Sequence, residues 1–78
     1  MSYRFHPGMY IADELRERRL AARDLNAFCG YRHGAIEDLL RGNASITPDS
    51  ARQIGAFFGT SDALWLRIQD AYDALTDN

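Results

Sequence analysis

Apolar residues recur along this chain at spacings of three and four, the period of an amphipathic helix, in five successive blocks. Between Pro7 and Arg19, Tyr10, Ile11 and Leu15 alternate with polar Asp13, Glu14 and Glu17, and Pro7 suits a first helical turn. A second block, Ala21 to Phe28, sets Leu25 and Phe28 three apart and stops at Gly30, a residue that tolerates a left-handed C-terminal conformation. The third runs from Arg32 to Leu40 with Ile36, Leu39 and Leu40 on one face, closed by Gly42 and Asn43. This span leaves Gly34 inside a helix, where glycine costs up to about 1 kcal/mol relative to alanine.

Thr47-Pro48-Asp49 is a strong helix start: threonine caps free N–H groups, proline suits the first position, and aspartate complements the positive end of the helix dipole. The fourth helix turns Ala51, Ile54, Phe57 and Phe58 inward and ends at Gly59. Thr60-Ser61-Asp62 begins a fifth, in which Leu64, Trp65, Ile68, Ala71, Tyr72 and Leu75 repeat at helical spacing. No alternating run of β-branched residues competes with this pattern, so the expected class is all-α with five helices.

At 78 residues the chain has room for one domain over positions 1–78, with residues 1–6 expected to be less ordered. Its 46% hydrophobic content suits a folded core, and the net charge of -2 is far from the disordered regime. The longest apolar runs, such as Ile54 to Phe58, fall well short of the roughly 18 residues of a membrane span, so a soluble, cytoplasmic protein is expected. One cysteine, Cys29, excludes an intrachain disulfide and a multi-cysteine zinc framework. Cys29, His33 and His6 do not make a ligand set that zinc favours, and Cys29 is read as a small buried residue in a turn. Ser45, Ser50 and Ser61 have no histidine near them in sequence, and there is no glycine-rich phosphate loop, so neither catalysis nor a cofactor is expected.

Charge divides the chain. From Met1 to Arg52 there are eight arginines against seven carboxylates, a net of +1; from Gln53 onward Arg67 faces Asp62, Asp70, Asp73 and Asp77, a net of -3. A weakly cationic body suits a polyanion, and an acidic last helix suits a cationic protein partner. All nine basic residues are arginine, which favours bidentate contacts to carboxylate or phosphate, although codon bias explains the same count.

The second and third helices, separated by Cys29-Gly30-Tyr31, form a helix-turn-helix, a unit that can place its second helix in the major groove and that also occurs in domains that bind no DNA. Several motifs carry a resemblance. They are His6-Pro7-Gly8; Leu25 with Gly30; Leu39-Leu40-Arg41-Gly42-Asn43 leading to Ser45-Ile46-Thr47-Pro48; and Gly59-Thr60-Ser61 before Leu64-Trp65-Leu66-Arg67-Ile68-Gln69 and Ala71-Tyr72. Together, from about His6 to Leu75, these resemble the HigA-type antitoxins among lambda-repressor-like helix-turn-helix proteins. The resemblance implies a homodimeric repressor that binds double-stranded operator DNA and pairs with a toxin, usually an mRNA-cleaving ribonuclease.

The departures lie in the reading unit. Ala21-Ala22 stand where such proteins begin helix two with Ser or Thr and then Gln; Arg32-His33-Gly34-Ala35 open helix three, followed by Glu37 and Asp38; and Arg19 replaces a glycine that commonly closes helix one. The expected DNA site is Arg23 and Arg32 near the backbone, His33 as donor, Gly34 and Ala35 at the groove, and Arg41 with Asn43 in the following loop. Ala35 can pack on a thymine methyl, whereas Glu37 and Asp38 are expected to repel phosphate. Trp65, Ile68, Tyr72 and Leu75 are candidates for core packing or for a dimer or partner seam. An alternative reading is a protein-interaction module whose helix-turn-helix has lost its DNA role.

Overall fold

The computed structural model describes residues 5–76. Five helices follow one another: α1 (Pro7–Glu17), α2 (Ala22–Cys29), α3 (Ala35–Leu40), α4 (Pro48–Phe58) and α5 (Asp62–Thr76), with no strand among the described residues. This is the expected all-α, five-helix, lambda-repressor-like arrangement with its helix-turn-helix at α2 and α3.

Local chemistry sets most of the boundaries. His6 Nδ1 accepts the Gly8 N–H at 2.9 Å, so a histidine caps α1 ahead of Pro7. His6 falls within the segment expected to be loose, yet it is buried and meets Tyr72 edge-on at 5.0 Å; residues 1–4 of that segment lie outside the described residues. Thr47 Oγ1 accepts the Ser50 N–H at 3.1 Å while Ser50 Oγ accepts the Thr47 N–H at 2.8 Å, a reciprocal cap at the start of α4. In α2 the half of this device that needs a side chain at Ala21 is missing, and Asp24 supplies the other half by accepting the Ala21 N–H at 2.7 Å.

Two boundaries differ from the pattern by two or more residues, each for a left-handed residue. α1 stops at Glu17 because Arg19 turns to φ +57°, the conformation a glycine takes more readily. α3 begins at Ala35 rather than Arg32, because Gly34 at φ +90° is its N-cap and breaks the helix behind it. The cost of a glycine inside a helix therefore does not arise at Gly34; the backbone there needs a glycine.

Ile11, Leu15, Leu25, Ile36, Leu39, Ile46, Ala51, Ile54, Phe58, Trp65 and Ile68 form one buried cluster drawn from all five helices and the loop before α4. Of the four residues considered for a seam, Trp65 and Ile68 are each 2% exposed and belong to this core, which leaves Tyr72 and Leu75 nearer the surface. Trp65 Nε1 donates to Thr60 Oγ1 at 2.8 Å, satisfying the indole inside the core. Gln69, also buried, accepts the Ile46 N–H at 2.7 Å and donates to Asp73 at 2.9 Å, tying α5 to the loop between α3 and α4.

Phe28, paired with Leu25 by spacing, is instead exposed and leans edge-on against Phe57. The inward place on α2 goes to Asn26, 6% exposed. Its Oδ1 accepts the Ile36 N–H at 3.0 Å and its Nδ2 donates to Glu37 Oε1 at 2.7 Å, so one amide joins α2 to the first turn of α3. That hydrogen bond, ahead of Glu37's own backbone amide and the charges of His33 and Arg41, holds the Glu37 carboxyl below the usual carboxylate range.

Where α1 crosses the end of α3, Gly8 lies against the backbone: a Cβ there would overlap the Leu39 carbonyl and crowd the Leu40 Cα. Gly8→Ala should therefore cost at least about 3 kcal/mol, the upper end of overpacking penalties, measured by urea unfolding. Asn26→Ala should cost about 1 to 3 kcal/mol by the same measurement, because the Ile36 N–H is left buried without its partner. The folded pKa of Glu37 lies below its unfolded value near ~4.3, so its contribution is present above that value and lost as pH falls through the folded one. Between about pH 5 and pH 3 the wild type should lose more stability than Asn26→Ala, read from urea midpoints.

Candidate nucleic-acid interface

The turn between α2 and α3 is built by backbone and side chains together. Gly30 at φ +70° ends α2, the Tyr31 N–H donates to the Asn26 carbonyl at 3.1 Å, and the Ala35 N–H donates to the Arg32 carbonyl at 3.1 Å. Tyr31 Oη donates to Asp49 Oδ2 at 2.9 Å, fastening the turn to the first turn of α4. Burial, then the hydrogen bond and charge of Asp49, push the Tyr31 phenol up to about 12. Asp49 also pairs with Arg52 at 2.9 Å. Burial first, and Asp49 second, raise the pKa of the half-buried Cys29, the reverse of what a reactive thiolate requires.

The sequence-selected residues are spread over α2, the turn, α3 and the loop after it. Arg23 is exposed at the second position of α2, and Arg32 and His33 are exposed in the turn rather than on a helix. Gly34 caps α3, Ala35 opens it, Arg41 caps its end, and Asn43 follows in the loop with its N–H on the Asp38 carbonyl at 2.9 Å. Arg32 and Arg41 are brought together by Asp38: Arg32 NH2 lies 2.8 Å from Oδ2, and Arg41 NH1 lies 3.8 Å from Oδ1.

This arrangement changes the meaning of the two carboxylates. Asn26 fixes Glu37 in its charged form, while Asp38 shares its charge with Arg32 at 2.8 Å and, more loosely, with Arg41 at 3.8 Å. Exposed pairs of this kind contribute roughly 0 to 1 kcal/mol, so the arginines remain available to a stronger ligand.

Among the described residues no three of histidine, cysteine, aspartate and glutamate converge as metal ligands. His6 is committed to the α1 cap and Cys29 ends α2, while His33 lies in the exposed turn. Asp70 and Asp73 are exposed on α5, and Asp77 lies outside the described residues.

Two residues important to the site, Asn26 and Tyr31, do not stand out by residue type. The spacing of Ala22, Leu25, Asn26 and Cys29 does place Asn26 on the inward face of α2, and a polar residue there signals a buried hydrogen-bonded joint. The Tyr31 bond to Asp49 spans 18 positions and has no local signature.

No protein-family model matches the chain. Among solved structures, it is similar to an addiction-module antidote protein of the HigA family from Coxiella burnetii, at 36% identity and TM-score 0.84, covering 95% of this chain and 80% of that one. It is also similar to the Pseudomonas aeruginosa antitoxin HigA solved with the higBA promoter, at 28% identity and TM-score 0.89, covering 94% of this chain and 80% of that one. An uncharacterised helix-turn-helix transcriptional regulator of Escherichia coli K12 is 29% identical over 66 residues, 85% of this chain and 70% of its own. Virulence-associated protein I of Dichelobacter nodosus is 32% identical over 69 residues, 87% of this chain and 64% of its own. With a helix-turn-helix of this geometry and 36% identity across most of both chains, the protein belongs to the HigA family of addiction-module antidote proteins.

Proposed function

We propose that this antitoxin binds its operator DNA as a homodimer through α2 and α3, represses its own promoter, and neutralises a cognate toxin that cleaves mRNA. The observation that carries the DNA reading is the TM-score of 0.89 over 94% of the chain with a family member captured on promoter DNA. The exposed cations around α3 support it. In this reading Arg23, Arg41 and Asn43 meet phosphates, His33 donates nearby, Gly34 lets the backbone approach the groove, and Ala35 packs on a thymine methyl. Two copies would place their reading helices about one helical turn of DNA, ~34 Å, apart.

The partner face is assigned to the end of α5. Tyr72 and Leu75 offer apolar contact there, with Trp65 and Ile68 supporting them from the core, and the exposed Asp70 and Asp73 suit a cationic toxin. The protein acts as a single domain over 1–78, without catalysis or cofactor, in the cytoplasm. No helix of the described residues is long and apolar enough to cross a membrane.

A mobility-shift titration against a duplex carrying its own promoter, with a scrambled control, at about 50 and 200 mM salt tests this. Specific retention that weakens steeply with salt is expected. Arg41→Ala should weaken binding to all duplexes and reduce the salt slope by about 1. Folded protein that retains neither duplex at either salt would remove the DNA role and leave a protein-interaction module.

A further inference from the structure

Gly34 and Ala35 open the reading helix without a side chain able to donate to a base edge. The geometry supplies one from outside the helix. Arg32, in the turn, folds back across the start of α3, so that its NH1 lies 3.5 Å from where a Cβ on Gly34 would stand. Two contacts draw the guanidinium to that place: Nη1 donates to the His33 carbonyl at 3.2 Å, and Nη2 donates to Asp38 Oδ2 at 2.8 Å. The side chain is nevertheless 71% exposed. Of the five N–H donors of a guanidinium, two are used and three stay open to a ligand.

We propose that Arg32 is the base-reading side chain of this helix-turn-helix, selecting guanine in the major groove, with Asp38 and Gly34 as the positioning residues that hold it across the start of α3. The proposal rests on the DNA-binding reading above and assigns Arg32 to a base where sequence alone assigns it to the backbone. Guanine presents O6 and N7 as paired acceptors in the major groove, and a planar guanidinium meets both at once. A side chain already drawn toward one place by a carboxylate and a carbonyl loses less freedom on binding than an unbiased one. Pairing also explains an aspartate at this position, because Asp38 presents its charge to Arg32 and Arg41.

The competing account makes Asp38 a rival that occupies a phosphate-binding arginine. The two differ in sign. If Asp38 is a rival, removing it strengthens binding to every duplex equally; if it positions Arg32, removing it erodes the choice of base.

The test is selection from a pool of duplexes with a randomised core, using the full chain as wild type, Arg32→Lys, Asp38→Asn and the double variant, each confirmed folded by circular dichroism. The selected duplex is then competed against the same duplex with the preferred G·C pair replaced by A·T. Wild type should enrich guanine at one position per half-site. Arg32→Lys should lose about 5- to 150-fold discrimination at that position. Asp38→Asn should lose most of the same discrimination, with no further loss in the Arg32→Lys background. Guanine preference that survives Arg32→Lys, retention by wild type without guanine preference, or Asp38→Asn that strengthens all duplexes with discrimination unchanged would each overturn this inference alone. A wild type that retains no duplex would overturn the DNA-binding reading along with it.

Discussion

A helix of six residues cannot sustain itself in water, since helix nucleation is unfavourable and isolated segments below about 12 to 15 residues are marginal. α3 is such a helix, and everything proposed for this protein depends on it. Its order is imposed by its neighbours. Asn26 takes the Ile36 N–H near its start, Ile36 and Leu39 bury their side chains in the core, and the side-chain-free Gly8 lets α1 lie against the Leu39 backbone. The reading element is therefore held by the fold at its start, along its inner face and at its end. Its outward residues are free to vary because they contribute little to keeping it folded.

Where sequence predicts structure here, the determinant is local. Thr47-Pro48-Asp49 and Thr60-Ser61-Asp62 announce α4 and α5 because the capping groups sit within three residues of the N–H groups they satisfy. The pattern makes the third helix too long because Arg32 and His33 continue a helical spacing, whereas Gly34 at φ +90° sets its true start. Arg19 is harder still, an arginine in the left-handed region held between an α1 that has just ended and the Leu20 N–H bound to the Leu15 carbonyl. Spacing places Arg23 on α2, Arg41 at the end of α3 and Asn43 in the loop after it. It does not show the engagement of Glu37 and Asp38, because a carboxylate's partner 6 or 11 positions away leaves no periodic trace.

The electrostatics of the site follow from that engagement. A body with eight arginines and seven carboxylates has little net field with which to attract DNA, so the distribution of pairs matters more than the total. Around α3 the carboxylates are tied to an amide and to arginines, and Asp49 is tied to Tyr31 and Arg52. Such pairing fixes where the carboxylates sit while leaving most of each arginine in solvent. It exchanges long-range attraction for orientation, a trade that favours discrimination over raw affinity.

The acidic last helix and the loop that follows the cationic turn are joined by a buried side chain, Gln69. Gln69 accepts the Ile46 N–H in the loop that follows Arg41 and Asn43, and on its other side donates to Asp73 on the exposed face of α5. A buried amide with both ends committed has little freedom to move without leaving a polar group unsatisfied, which costs about 1 to 3 kcal/mol.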